Sequence, residues 1–265
     1  MMISQPSVIE CNLKIKQVIK LIIGTLVSFC FLLTLGCKEK VDLPPEGYFK
    51  GQQLTLAQSI SRGRIDDVKR LAKKTDLNSP GKSDMTLLFF SLGAATYGNA
   101  TPERLQIVTE LVKAGADPLQ PRPNGMSSPA EFSASAEKDI WLKALLEGGL
   151  SPDAKDRIFD EPIIFQTIKA KNTDTLKAFL DDNANIDIKN SLGETMLMAA
   201  FFHSSFEHVK LLIQKGSDPN PINKNGLSLA EIVNRQLQDS KEGSDYYYEC
   251  LEIKKMMIAH GVVWP

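Results

Sequence analysis

The chain has 265 residues, of which 43% are apolar and 24% charged, and its net charge is −1. That length suffices for one continuous folded core. A near-neutral balance gives no electrostatic footprint for nucleic acid, which needs a basic patch to offset phosphate charge.

Taken from the amino terminus, residues 21–36 carry no charge, and Lys14, Lys16 and Lys20 precede them. A basic region, a short apolar stretch and a small-residue cleavage site predict an export signal. Its sixteen uncharged residues fall short of the roughly 20 that a spanning helix needs. The stretch ends in Leu33-Thr34-Leu35-Gly36-Cys37, which resembles a bacterial lipobox. In that family the signal is cut before the cysteine, whose thiol and amino group are then acylated. The resemblance therefore implies lipidation of Cys37. Gly36 and Cys37 fit the pattern, whereas Thr34 stands where leucine is commonest. The alternative is an uncleaved signal anchor, and both readings put the remainder outside the cytoplasm.

Two or more acyl chains would anchor the protein stably, at ~0.8 kcal/mol per buried methylene. Lys38 follows the cysteine where lipoproteins kept at the inner membrane often carry Asp. By resemblance this points to the outer membrane, on its periplasmic face. Residues 37–53 are charged and contain Pro44-Pro45 and Gly47, so they read as a lipidated tether. Cutting away residues 1–36 removes three Lys and one Glu and leaves the mature chain near −3. Cys11 and Cys30 leave with the signal and Cys37 takes the lipid, so Cys250 stands alone. It is expected to be buried in the last helical stretch beside Leu251, with no disulfide to form.

From residue 54 to 265 the chain repeats. Helix-like runs close at Thr75, Gly115, Gly149, Asn183, Gly216 and Gly261, and the middle spacings are 34, 34 and 33 residues. Four positions before each closing residue stand Leu71, Leu111, Leu145, Phe179, Leu212 and Met257. Three before stand Ala72, Val112, Leu146, Leu180, Ile213 and Ile258, and seven before stand Val68, Val108, Leu142, Leu176 and Val209, broken by Lys254. A period near 33 built on such columns predicts a stacked helical solenoid. Glycine takes the left-handed conformation that stops a helix, and asparagine is the usual second choice. Pro118, Pro152 and Pro219 then prevent the helix from resuming. The segments 121–125 and 189–193 read as turns between copies.

The fifth copy carries Gly193-Glu194-Thr195-Met196-Leu197-Met198-Ala199-Ala200, then Val209-Lys210-Leu211-Leu212-Ile213, then Gly216-Ser217-Asp218-Pro219-Asn220. This resembles the ankyrin repeat, whose pattern runs G-x-T-P-L-H-x-A, a V-x-L-L-L helix and G-A-D-P-N. Thr86-Leu87-Leu88 with Gly115-Ala116-Asp117-Pro118 repeats it, as does Glu161-Pro162-Ile163 with Asn183-Ala184-Asn185. The usual histidine is absent throughout. The resemblance implies an all-α ankyrin-repeat solenoid of about six helix pairs with short hairpin-like turns.

Residues that could carry chemistry read otherwise. His203 and His208 lie five apart rather than the four that puts two ligands on one helical face, so no metal site is expected. His208 fits the exposed start of a second helix, and His260 a helix C-terminus, where its charged form suits the dipole. No G-x-S-x-G, phosphate-cradling loop or Cys–His pair occurs. Asp66-Asp67 and Asp181-Asp182 read as solvated helix flanks. The chain is expected to be no enzyme and to need no cofactor. Tyr246-Tyr247-Tyr248 is either a contact surface or packing for the final copy. In Phe89-Phe90 and Phe201-Phe202 only the outward member of each pair could serve function.

In ankyrin proteins, turn tips and first helices form the binding face. Carried onto this chain, the resemblance assigns Arg122 and Asn124 before copy three. It assigns Arg157, Phe159 and Lys169 in copy four, and Ser191, Leu192, Glu194, Phe202 and His203 in copy five. Lys224 and Asn225 follow before copy six. Phe159 and Leu192 are large apolar residues where polar ones normally sit. Exposed, they would suit an interface centre; alternatively Phe159 folds back onto its neighbour. The insertions 93–100 and 238–246 are expected to interrupt the links between paired helices. Small exported ankyrin lipoproteins resemble immunity proteins against secreted phospholipase toxins, including type VI lipase effectors. A protein partner of that class is therefore implied. Others resemble accessory factors that support catalase or another resident enzyme in stress resistance.

Overall fold

The computed structural model describes residues 43–97, 100–122 and 127–265. Cys37 and the expected signal 1–36 lie outside the described residues, as does Asn124. Among the described residues six helix pairs follow one another. They are α1 (Gly51–Ser61) with α2 (Ile65–Ala72), α3 (Leu87–Tyr97) with α4 (Pro102–Lys113), and α5 (Pro129–Ala134) with α6 (Ile140–Gly148). A 3-10 helix over Ile163–Lys169 pairs with α7 (Asp174–Asp181). Then come α8 (Met196–Phe202) with α9 (Phe206–Gln214), and α10 (Leu229–Asp239) with α11 (Asp245–Ala259). Among the described residues the extended pairings are isolated bridges at the turns, Lys155 with Pro162, Lys189 with Thr195 and Ile222 with Ser228.

Most members of the repeated columns are buried, but Leu71, Val112 and Leu180 are half-buried and Ile258 is exposed. Leu111, Leu145, Phe179, Leu212 and Met257 are fully buried, as are Val68, Val108, Leu142, Leu176 and Val209. At Lys254, where the last column breaks, the adjacent Ile253 takes the buried place. First helices pack on first helices (α1 on α3, α3 on α5, the 3-10 helix on α5 and α8), and second helices likewise stack in series from α2 through α4 and α6 to α7. No single pair could bury its stripe alone, so stacking supplies the core. Between α4 and α6 the backbones come close. A Cβ on Gly148 would stand 2.6 Å from the Cβ of Val112.

The closing residues behave as expected in five copies: Gly115, Gly149, Asn183, Gly216 and Gly261 all have positive φ. Thr75 does not; its hydroxyl instead donates to the Leu71 carbonyl at 2.9 Å. Side chains also tie successive copies together along this edge. Asn78 accepts the Asp117 N–H at 2.9 Å, Asp153 accepts that of Asn185 at 2.7 Å, and Asp187 that of Asp218 at 2.9 Å.

First helices start on a hydroxyl cap at Thr86, Ser128, Thr195 and Ser228. Ser128 and Ser228 form full capping boxes with Glu131 and Glu231. At the same position copy four has Pro162, which offers no side-chain oxygen, and the helix after it winds as 3-10. Loss of the cap removes the acceptor that starts an α-helical turn.

Four expectations need correction. The tether does not reach residue 53: Phe49 is 2% exposed, stacks edge-on against Phe90 at 5.4 Å, and α1 begins at Gly51. The first insertion is largely helix, whereas the second keeps a link between its paired helices as expected. Gly93 to Tyr97 extend α3, and Gln238 and Asp239 extend α10, leaving a short link at 240–244. Phe89 and Phe90 are both buried, so neither faces outward. His208 is buried too, at 2% exposure, because it points from α9 towards Thr167 of the neighbouring copy. Cys250 is free and fully buried as expected.

Candidate protein-binding face

The turn tips are built alike. In copy four the buried Asp156 carboxylate accepts the N–H groups of Ile158 (2.9 Å), Phe159 (2.6 Å) and Glu161 (3.0 Å). The loop winds round that anion, and Asp160 takes a left-handed conformation with φ 58°. In copy five Asn190 Oδ1 accepts from Leu192 (3.0 Å) and Glu194 (2.9 Å). In copy six Asn223 Oδ1 accepts from Asn225 (2.9 Å) and Leu227 (3.2 Å). A short polar side chain that satisfies its own loop's N–H groups is the general recipe for such turns.

Adjacent tips are also joined. The Ser191 N–H donates to the Glu161 carboxylate at 3.1 Å. Lys224 donates its N–H to Leu192 O at 3.2 Å and its ammonium to Ser191 O at 2.6 Å. The exposed residue at each tip is therefore held out on a pinned loop rather than drawn inward.

What those tips present is apolar in two copies. Phe159 is 75% exposed, Leu192 61% and Ile158 46%. Phe159 does not fold back onto its neighbour, which settles the geometric alternative left open by the sequence. Behind Leu192 a groove of about 420 Å³ runs between copies four and five. Phe165, Ile168, Leu192 and Phe202 supply its apolar surface, and Lys169, His203, Asn190 and Glu194 its polar groups. Phe202, 47% exposed, is the outward partner of the buried Phe201. Thus Lys169, Leu192, Glu194, Phe202 and His203 converge on one groove, with Ser191 and Phe159 on the joined tips.

The other expected residues are placed differently. Arg157 is exposed but forms an ion pair with Asp117. Lys224 spends its ammonium on the tip beside it, and Asn225 is exposed. Arg122 is half-buried with its guanidinium 4.5 Å from the Phe89 ring centroid, and burial pushes its pKa below the usual value. It is a stacking residue within the solenoid more than an exposed contact. Tyr246 packs on Phe206 at 5.5 Å, whereas Tyr248 is exposed, so the tyrosine run divides between both readings.

Phe165 and Ile168 were not foreseen. In a 3-10 helix residues three apart eclipse one another, so the 3-10 winding after Pro162 sets these two on one side.

The remaining titratable groups serve packing. Lys210 is held by Glu207 (3.5 Å), Glu249 (3.0 Å) and Glu252 (2.8 Å), which raises its pKa and joins α9 to α11. No cluster of three or more His, Cys, Asp or Glu residues could hold a metal among the described residues.

Comparison with known proteins agrees with this architecture. Residues 132–223 match the family model for ankyrin repeats in three copies. The chain is similar to alpha-latrocrustotoxin-Lt1a of Latrodectus tredecimguttatus, at 30% identity over 121 residues, covering 45% of this chain and 8% of that protein. Among solved structures, the ankyrin repeat domain of Bcl-3, a member of the IkappaB protein family, aligns with a TM-score of 0.58 at 21% identity. That alignment covers 85% of this chain and 89% of the other. An ankyrin repeat domain from Acinetobacter baumannii AYE aligns at 0.54 and 20% identity, over 78% and 97% of the two chains. These likenesses establish the fold: an ankyrin-repeat solenoid, the architecture of a protein–protein interaction module.

Proposed function

We propose that this ankyrin-repeat chain is an exported, lipid-tethered binder whose partner is a secreted phospholipase toxin, which it neutralises. The binding step rests on one observation above all: Phe159 and Leu192 are held in solvent on loops that are internally satisfied and joined to each other. Their exposure contributes nothing to folding, since apolar burial of each would stabilise by about 1.5–3 kcal/mol. Clustered apolar groups rimmed by polar ones mark an interaction surface. Export and acylation are supported by residues 21–37 of the sequence, and the toxin by the resemblance of small exported ankyrin lipoproteins to immunity proteins. The two readings fit one another. A lipase attacking a membrane from its periplasmic side meets a binder concentrated on that surface, where confinement raises effective concentration.

Two experiments test these parts separately. Replacing Cys37 with Ala should leave the repeats folded and release them from the membrane fraction. Unchanged fractionation with no loss of acyl labelling would remove the lipoprotein reading. Stoichiometric inhibition of a captured secreted phospholipase by the purified chain should follow if it is an immunity protein. Capture of a resident enzyme such as a catalase, with its activity enhanced, would replace the toxin reading with that of an accessory factor.

A further inference from the structure

Copy four is the thinnest part of the stack. Pro162 leaves its first helix without a side-chain cap, and Ile163–Lys169 wind as a 3-10 helix, whose hydrogen bonds have poorer geometry than α-helical ones. Within the pair, the 3-10 helix and α7 lie together over a shorter stretch than α3 with α4 or α8 with α9. Thr175 on α7 and Ser133 on α5, which packs against α7, are fully buried. Neither hydroxyl has a hydrogen-bond partner among the described residues. Burial of such groups costs stability, because water satisfies them in the unfolded chain.

The joint with copy five is thin as well. Helices α4 and α6 stand so close that a Cβ on Gly148 would clash with Val112, whereas the backbones of α7 and α9 approach at few points. Two clefts enter this joint. One is the groove of about 420 Å³ behind Leu192, and the other, of about 360 Å³, is lined by Ala170 and Lys171 of copy four, Ser205 and His208 of copy five, and Glu249 of copy six. Polar bonds among exposed residues also span the joint, Ser191 N–H to Glu161 at 3.1 Å and Asn185 N–H to Asp153 at 2.7 Å. The stability of a stack is approximately the sum of each copy's own stability and that of its interfaces with its neighbours. In copy four both are low.

We propose that the joint between copies four and five is the hinge of the solenoid, where the 3-10 helix and α7 open locally while copies one to three stay folded. Phe159 and Leu192 stand on opposite sides of this joint, so its movement sets the curvature of the face they present. The hinge is a property of the fold and holds whatever partner the tips take.

Native-state hydrogen exchange of the purified full chain tests this, read by mass spectrometry at increasing sub-denaturing guanidinium concentrations. Amides of residues 165–181 should exchange about ten-fold faster than those of α4 and α6, with little dependence on denaturant, as local opening requires. Pro162→Thr returns the hydroxyl that Thr195 supplies in copy five. It should slow exchange at residues 165–181 by about five-fold, the worth of a typical cap, and leave α4 and α6 unchanged. Equal rates in copies two to four would overturn the proposal. So would a slowing in Pro162→Thr that spreads over every copy or appears in none.

Discussion

Two phenylalanines twenty residues apart show how far chemistry alone falls short of assigning a role. Phe179 is fully buried and Phe159 is 75% exposed. Phe179→Ala should cost about 3–5 kcal/mol in denaturant unfolding, as large-to-small core changes do. Phe159→Ala should leave the melting temperature nearly unchanged, and a large shift would mean that the ring belongs to the core. The column four before each closing residue marked Phe179 for burial from sequence. The outward aim of Phe159 was not legible, because it depends on three N–H groups converging on Asp156. His208 was misread for a related reason. Glu207 before it suggested an exposed helix start, but Thr167 of another copy covers it.

The burial of His208 has a pH consequence. Desolvation lowers its pKa, and the backbone hydrogen bond at Thr167 opposes this only partly. An unfolded histidine titrates near about 6.5, so the unfolded chain binds the proton first. The stability this group contributes is full above that value and is lost as pH falls below it, towards the depressed folded pKa. Denaturant midpoints measured between pH 7 and 5 should fall for the parent protein and fall less steeply for His208→Gln. Equal slopes would contradict this role.

At the scale of the element, helix ends were more legible than helix type. The closing positions stood out because stopping a helix calls for left-handed backbone. Asn183 occupies that region with φ 64°, so Asn183→Ala should cost about 1–2 kcal/mol. Asn183→Gly should cost little or stabilise, and equal losses in the two variants would exclude a backbone origin. Copy four's 3-10 helix was not foreseen, although Pro162 stood where other copies carry a cap. Phe165 and Ile168, three residues apart on it, share one wall of the groove. The insertions hid themselves differently. Glycine and alanine between residues 93 and 95 look like a loop but continue α3, where burial of Ala94 and Ala95 overrides weak local signals.

At the scale of the described fold, a one-dimensional stack explains why periodicity revealed so much. Each copy repeats the same neighbour contacts, so one spacing rule encodes the core of them all. Its ends are not periodic, and there the reading was weakest. Tyr48 and Phe49 cover the first copy against Phe90. Trp264 closes the last by donating to Asn234 at 3.1 Å under the Lys254 ammonium. The binding face has a similar status. The fold says which side of each copy is free to bind, but only the exposure of particular tips distinguishes copies four and five.

The decisive measurement is comparative affinity capture with the unaltered chain and the double variant Phe159→Ala/Leu192→Ser, against periplasmic extract and culture-supernatant proteins, read by mass spectrometry. The two baits must first be shown to melt at the same temperature. A secreted phospholipase retained by the unaltered chain and lost by the variant is the result this account predicts. Identical capture by both baits would contradict it, because the apolar tips would then play no part in binding.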